Sequence, residues 1–295
     1  MHIFISGATG LIGSALIERL LARGDKVTLL TRSIAKSKAR FTNGVEAIDS
    51  IENLTDLDQF DAVINLAGEP IFAKRWNRRQ KARLENSRIE LTERLAYLIN
   101  NGSTPPHTFI SGSACGYYGD CGDNLTDENT PAADNFIANL CLNWEKAALA
   151  ANCRVCLLRT GIVLSAAGGA LAQMLPLYRL GLGAKLGGGR QFWAWIALQD
   201  MVEAILFLLE HNQCSGAFNL VSPCPVPQAE FNRTLGRLLN RPHFANVPGC
   251  ILSIAFGERA RILLDSQRII PAKLLQQGFR FKFTHLHKGL EAALK

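Results

Sequence analysis

Apolar runs and helical patterns alternate along the first two thirds of the chain. Ile3-Phe4-Ile5 is a short run of strand type. Leu11, Ile12, Ala15, Leu16, Leu20 and Leu21 then recur at helical spacing, and Arg23-Gly24 supplies the cation and glycine that close such a helix. Val27 to Leu30 predicts a second strand, Val45 to Ile48 a weaker third, and Ala62 to Leu66 a fourth that ends at Ala67-Gly68. A helical stretch from Arg78 to Asn100 stops before Pro105-Pro106, and Thr108 to Ser111 predicts a fifth strand. A helix from about Asp134 to Ala151 leads into a sixth strand, Arg154 to Leu164. Strands alternating with helices in this way build an α/β fold, a doubly wound parallel sheet with right-handed crossovers.

After Ser165 the rhythm changes. A glycine-rich loop spans Gly181 to Gly189, Gln199 to His211 predicts a helix, and Ala217 to Val221 a strand. Pro223, Pro225 and Pro227 mark a break before short helices, the last an amphipathic one at Leu286 to Leu294. The expected organisation is a sheet domain over residues 1–164, to which 191–221 returns, and a smaller, mostly helical lobe from 165–190 and 222–295 over the sheet's carboxyl edge.

Composition narrows the class. With 295 residues, 48% hydrophobic and 19% charged, the chain is globular and needs no disulfide or metal staple. Thirty-two Lys and Arg against 25 Asp and Glu give +7, without the clustered basic footprint of a nucleic-acid binder, so no nucleic-acid partner is expected. The longest uncharged run, Thr160 to Tyr178, is broken by Gly168, Gly169, Gln173 and Pro176, which excludes a bilayer span there. The N-terminus lacks a basic n-region, so the cytoplasm is the expected compartment. Eight scattered cysteines fit it. Cys153 and Cys156, formally C-x-x-C, open a strand and point to opposite faces, so buried thiols are expected and no metal site.

Gly7-Ala8-Thr9-Gly10-Leu11-Ile12-Gly13 joins the first strand to the first helix. One glycine makes the tight turn, one lets a pyrophosphate approach the backbone, and one lets helix and strand pack closely, with the phosphates on free N–H groups at the helix start. A dinucleotide is the expected ligand. Enzymes that use NAD place an acid at the end of the second strand to take the ribose 2′-hydroxyl. Here Thr31-Arg32-Ser33 stands there, and Asp25 lies at the wrong end of the strand. Arg32 can pair a 2′-phosphate, which favours NADP (NADPH) over NAD. The plainer reading is that Arg32 starts a basic surface helix with Lys36 and Lys38.

The G-x-x-G-x-x-G spacing resembles the extended short-chain dehydrogenases/reductases, a Rossmann-fold class that includes nucleotide-sugar epimerases and dehydratases. Leu66-Ala67-Gly68 resembles the turn under the cofactor, Ser111-Gly-Ser113 the active-site serine strand, and Arg159-Thr160 the turn near the nicotinamide. Trp195 to Asp200 resembles the aspartate-bearing element before a helix. Asn65-Leu-Ala-Gly-Glu-Pro70, Ser87-Arg88, Gly116-Tyr-Tyr-Gly119, Trp144-Glu145 and Ser266-Gln267-Arg268 together resemble the uncharacterised YfcH-like epimerase family across nearly the whole chain.

The resemblance implies Ser113 as the residue that hydrogen-bonds a substrate oxygen. The class's Tyr-x-x-x-Lys pair, which moves the accompanying proton, is missing: none of Tyr97, Tyr117, Tyr118 and Tyr178 has a lysine four residues on. Counting back from Glu145 puts Ile137 and Cys141 at those positions. Tyr117 and Tyr118 become the alternative proton donors. Glu69 and Arg88, from the family-like motifs, and Arg190, which resembles the arginine that grips substrate diphosphate in sugar epimerases, are the substrate-binding candidates. The implied function is an NADP-dependent oxidoreductase acting on a sugar nucleotide or small carbonyl compound; the alternative is a non-catalytic nucleotide-binding sensor or scaffold. The class often dimerises through the long helices after strands four and five, which implies a homodimer.

Overall fold

A computed structural model describes residues 1–41 and 44–295; of Lys36 and Lys38 it describes the backbone alone, so their side chains, and the basic helix face read from them, lie outside the described residues. The chain opens with β1 (His2–Ser6), α1 (Leu11–Ala22), β2 (Lys26–Leu30), α2 (Ile34–Arg40), β3 (Val45–Ile48) and β4 (Ala62–Asn65). It continues with α3 (Arg78–Asn86), α4 (Ile89–Asn101), β5 (Thr108–Ala114), a 3₁₀ turn at Cys115–Tyr118, α5 (Phe136–Leu149) and β6 (Arg154–Thr160). Then come β7 (Ile162–Leu164), α6 (Gly169–Arg179), β8 (Ala184–Leu186), β9 (Phe192–Trp193), β10 (Trp195–Ala197), α7 (Leu198–Glu210) and β11 (Gly216–Leu220).

Seven strands form one sheet in the order β11-β6-β5-β4-β1-β2-β3, every neighbouring pair parallel. The chain walks outward from β1 to β3, then crosses to the other side of β1 for β4. That reversal opens a crevice between the carboxyl ends of β1 and β4, where ligands of doubly wound sheets sit. Both faces are covered. Leu16, Ile17 and Leu20 of α1 and Met201, Ile205 and Leu208 of α7 fill one apolar layer. Leu95, Leu98 and Ile99 of α4 fill the other, with Ala148 of α5. Each fully buried Leu or Ile contributes about 1.5–3 kcal/mol, which holds the strand ends rigid beneath the crevice.

Two predicted elements are split by long-range contacts. The helix read from Arg78 to Asn100 is α3 and α4, parted at Ser87-Arg88. The Ser87 hydroxyl accepts from the Glu69 N–H at 3.1 Å, tying the break to the loop after β4. The sixth strand ends at Thr160, and β7 leaves the sheet to pair with β10. Gly161 makes this exit: a Cβ there would stand 2.7 Å from the Ala194 carbonyl oxygen. Conversely, β5 runs past Ser111 to Ala114 because Gly112, Ser113 and Ala114 stay in register with Leu158, Arg159 and Thr160 of β6.

The remaining elements are β12 (Val226–Pro227), α8 (Gln228–Leu238), β13 (Ala245–Val247), α9 (Gly249–Phe256), α10 (Arg261–Leu264), α11 (Ala272–Gln276) and α12 (Leu286–Leu294). With α6 and β8 to β10, α8 and α12 build a separate core around Leu175, Trp193, Trp195, Phe231 and Leu290, while Leu274 of α11 packs into the core of the large sheet. Buried Asp200 accepts the Lys282 and Phe283 N–H groups, each at 2.9 Å, so this aspartate fastens the C-terminal segment to α7. All eight cysteines are free. No described helix is long and apolar enough to cross a membrane.

Candidate active site

The crevice at the β1–β4 switch widens into a cleft of about 860 Å³ between the sheet and the smaller lobe. Its floor is the glycine turn. Gly7 has φ +74°, and a Cβ on it would stand 2.5 Å from the Leu66 carbonyl carbon. A Cβ on Gly13 would run into the Gly7 carbonyl oxygen and Ala8, so helix and strand close-pack there. Gly10 caps α1 without a side chain, leaving the first-turn N–H groups at the cleft without a side-chain partner. Gly7, Gly10, Leu11, Ile12, Gly13 and Leu66 line the cleft. Ala8 is buried against the core, and Thr9 is exposed. The turn is held from below by Asn65, whose amide donates to the Thr92 hydroxyl at 2.7 Å. Trp144 Nε1 donates to the same hydroxyl at 2.9 Å. Thr92 was invisible to the motif reading, since its role depends on α4 crossing beneath the turn.

Thr31, Arg32 and Ser33 follow β2, whose Leu30 pairs with Ser6, so they emerge on the edge that carries Gly7. Buried Thr31 accepts from the Ser33 N–H at 3.2 Å, fixing the turn. The Arg32 side chain is exposed and makes no ion pair with a described residue.

Ser113 lies on the cleft wall, and its hydroxyl donates to Glu145 Oε1 at 2.6 Å. Arg159 clamps the same carboxylate, Nε to Oε1 at 2.8 Å and Nη2 to Oε2 at 2.9 Å, with both side chains 6% exposed. Arg159 Nη1 donates to the Tyr118 hydroxyl at 2.8 Å, and that hydroxyl donates to Asn219 Oδ1 at 2.7 Å. Burial pushes the Tyr118 phenol well above its usual range. The Tyr117 ring lies under the Arg159 guanidinium, 3.5 Å from its centre. The structure therefore corrects three assignments: Arg159 and Tyr118 form a buried network behind Ser113, with half-buried Tyr117 against the guanidinium, and none of the three is among the described residues that line the cleft. Ser111, fully buried beside Asn65, is also outside it, whereas Thr160 lines it. Ile137 and Cys141 face the cleft, and burial pushes the Cys141 thiol up to about 12.

The substrate candidates separate as well. Arg88 lines the cleft beside Trp144 and packs against Gly68. Its Nη2 donates to the Glu69 carbonyl at 3.0 Å and its Nη1 to the Leu84 carbonyl at 3.2 Å. Burial lowers its pKa, opposed by Cys141 and Glu69. The Glu69 carboxylate is outside the lining and pairs with Lys74 at 3.6 Å. Arg190 is exposed and outside it too, because the 187–190 turn packs against α8 instead. The arginine that does reach the cleft from the smaller lobe is Arg261, which pairs with Asp265 at 3.2 Å, next to Gln267. Gln267 donates to the Cys115 carbonyl at 3.0 Å, locking that lobe onto the serine strand's turn. Its place in the Ser266-Gln267-Arg268 motif was the signal for this contact.

A parallel sheet with a glycine-floored crevice and a serine strand on its wall defines an extended dehydrogenase-type nucleotide-binding fold. The chain belongs to the NAD dependent epimerase/dehydratase family, whose match spans residues 3–220; a domain of unknown function, DUF1731, matches residues 247–293. It is 42% identical over 291 residues to epimerase family protein MT2273 of Mycobacterium tuberculosis, covering 97% of this chain and 95% of that one. The Arabidopsis thaliana chloroplastic SDR39U1 homolog is 36% identical over 303 residues, 100% of this chain and 87% of its own. The crystal structure of human epimerase family protein SDR39U1 (isoform 2) with NADPH superposes with a TM-score of 0.92 at 35% identity, covering 100% of this chain and 99% of that one. These likenesses bear out the family resemblance and the doubly wound fold read from the motifs.

Proposed function

We propose that the protein is an NADP(H)-dependent oxidoreductase of the epimerase class, with the dinucleotide across the carboxyl ends of β1 and β4. The residues fit that group: Gly7 and Gly13 have no room for a Cβ, the uncapped α1 N-terminus opens on the cleft, and Arg32 is exposed on the same edge. The NADPH held by the human relative supports the choice of nucleotide. When bound, the nicotinamide supplies the hydride donor or acceptor.

One observation carries the catalytic reading. The Ser113 proton is committed to Glu145, so the hydroxyl's lone pairs are what it offers the cleft. Ser113 accepts the hydrogen bond of a substrate hydroxyl, the alcohol member of an alcohol–carbonyl pair, and fixes the carbon that bears it. Glu145, itself held by Arg159, sets that orientation. A nucleotide-binding sensor is the second reading, favoured by Ile137 and Cys141 facing the cleft while Tyr117 and Tyr118 lie outside it.

The test is calorimetric titration with NADPH and NADH, followed by fluorescence of bound NADPH against a panel of ketones, aldehydes and sugar nucleotides. NADPH binding with oxidation by a panel member, slowed in Ser113→Ala at unchanged NADPH affinity, supports the enzyme. Binding without oxidation supports the sensor. Failure of both nucleotides to bind overturns both readings.

A further inference from the structure

We infer that the substrate half of the cleft takes an apolar-bodied alcohol or ketone, long-chain or polycyclic, and not a sugar nucleotide; the inference rests on the oxidoreductase reading of the same site. The wall opposite the glycine turn is built from Phe72, Met174, Leu177, Leu182, Leu252 and Phe256. Charged side chains in the whole lining are Arg88, Arg261 and Asp265. Arg88 spends its guanidinium on the Glu69 and Leu84 carbonyls, and Arg261 is paired by Asp265. The α6 N-terminus, at Gly169 and Ala170, also opens on the cleft, but a substrate diphosphate needs unspent cations as well to replace its hydration. The candidate for that work, Arg190, is exposed and is not among the described residues that line the cleft.

The apolar character also continues out of the mouth. Leu177 and Leu182 line the cleft and are nevertheless 54% and 58% exposed. Helix α9 is GCILSIAF, without a charge. Its Leu252 and Phe256 line the cleft, while Ile251 and Ile254 face solvent at 52% and 82% exposure. Single exposed apolar residues are ordinary, but a charge-free helix and two leucines that all border one apolar cleft mark a site for an apolar ligand, with Arg259 over the Phe72 and Phe256 rings at its edge. Of the polar side chains in the lining, Tyr178 donates to Asn232, Gln228 bonds the β8 backbone and Asn135 caps α5, which leaves Ser113, Thr160, Gln173 and Gln267 to orient a ligand.

The test uses N-phenyl-1-naphthylamine, a neutral apolar fluorophore, titrated into the full-length protein with and without NADP⁺. Micromolar binding is expected, with displacement by dodecan-2-ol and none by millimolar UDP-glucose. Leu177→Glu and Leu182→Glu alter exposed side chains and should fold; each should weaken the probe about tenfold, with NADPH affinity unchanged. No probe binding, displacement by UDP-glucose, or full affinity in both variants overturns the inference. Probe binding in a protein that fails to bind NADPH leaves the apolar cleft standing and removes the oxidoreductase reading, so the two failures are distinguishable.

Discussion

Glu145→Gln keeps the shape of the side chain and removes its charge. In the native protein the carboxylate accepts from Arg159 Nε and Nη2 at 2.8 and 2.9 Å and from Ser113 at 2.6 Å. Both charged side chains are 6% exposed, so little solvent screening softens the loss. Removing one partner of a buried pair costs about 3–5 kcal/mol, because the other charge is left without compensation. The amide retains one acceptor for the guanidinium, which places the expected cost near the lower end, about 3 kcal/mol. At about 2 °C per kcal/mol for a chain of this size, Tm should fall by about 6 °C. Thermal circular dichroism and the urea midpoint at constant slope measure it. Arg159→Met should destabilise similarly, and the double variant by less than the sum, with a coupling of about 1 kcal/mol or more. NADPH affinity should change little in all three, since neither charged group lines the cleft. Additive losses would refute the pairing. Lost NADPH binding in Arg159→Met at an unchanged Tm would return Arg159 to the cofactor.

Gly7→Ala forces a Cβ to 2.5 Å from the Leu66 carbonyl carbon at φ +74°. Strain of about 1–2 kcal/mol plus overpacking of about 1–3 kcal/mol displaces the turn, so NADPH should bind about tenfold or more weakly by calorimetry; native affinity would remove the turn from the nucleotide site. Arg32→Ala should weaken NADPH far more than NADH, and equal losses would withdraw the 2′-phosphate assignment. Tyr118→Phe deletes the hydroxyl shared by Arg159 and Asn219 and should cost about 1–3 kcal/mol in urea denaturation while any turnover found is kept. Abolished turnover at full stability would make Tyr118 the proton donor after all.

The glycine-turn half of the cleft was legible because it is encoded locally. Each main strand is an apolar run, and the turn from Gly7 to Gly13 needs its glycines for reasons that a dozen neighbouring residues contain. Arg159 shows where local reading stops short. It was grouped with Thr160 by motif, yet adjacent residues on a strand face opposite sides, so only Thr160 reaches the cleft. Depth along the strand separates Ser111 from Ser113 in the same way: they share a face, but Ser111 pairs with Asn65 inside the sheet. The splits at Ser87 and Gly161 were hidden because their causes, the Glu69 N–H and the Ala194 carbonyl, lie on other segments.

The substrate half has no local code at all. Its walls come from α6, α9, α10 and the loop after β4, brought together by the pairing of β13 with β8 and by Gln267 docking on Cys115. No window of sequence contains that surface, and Arg190 lies outside its lining, exposed on a turn that packs against α8 through Gly189. Local turns thus shape the glycine floor, while the other walls of the cleft are decided by how distant helices meet. In this chain they meet as an apolar wall whose arginines are engaged, Arg88 by backbone carbonyls and Arg261 by Asp265, and that wall, more than any motif, constrains what the cleft can hold.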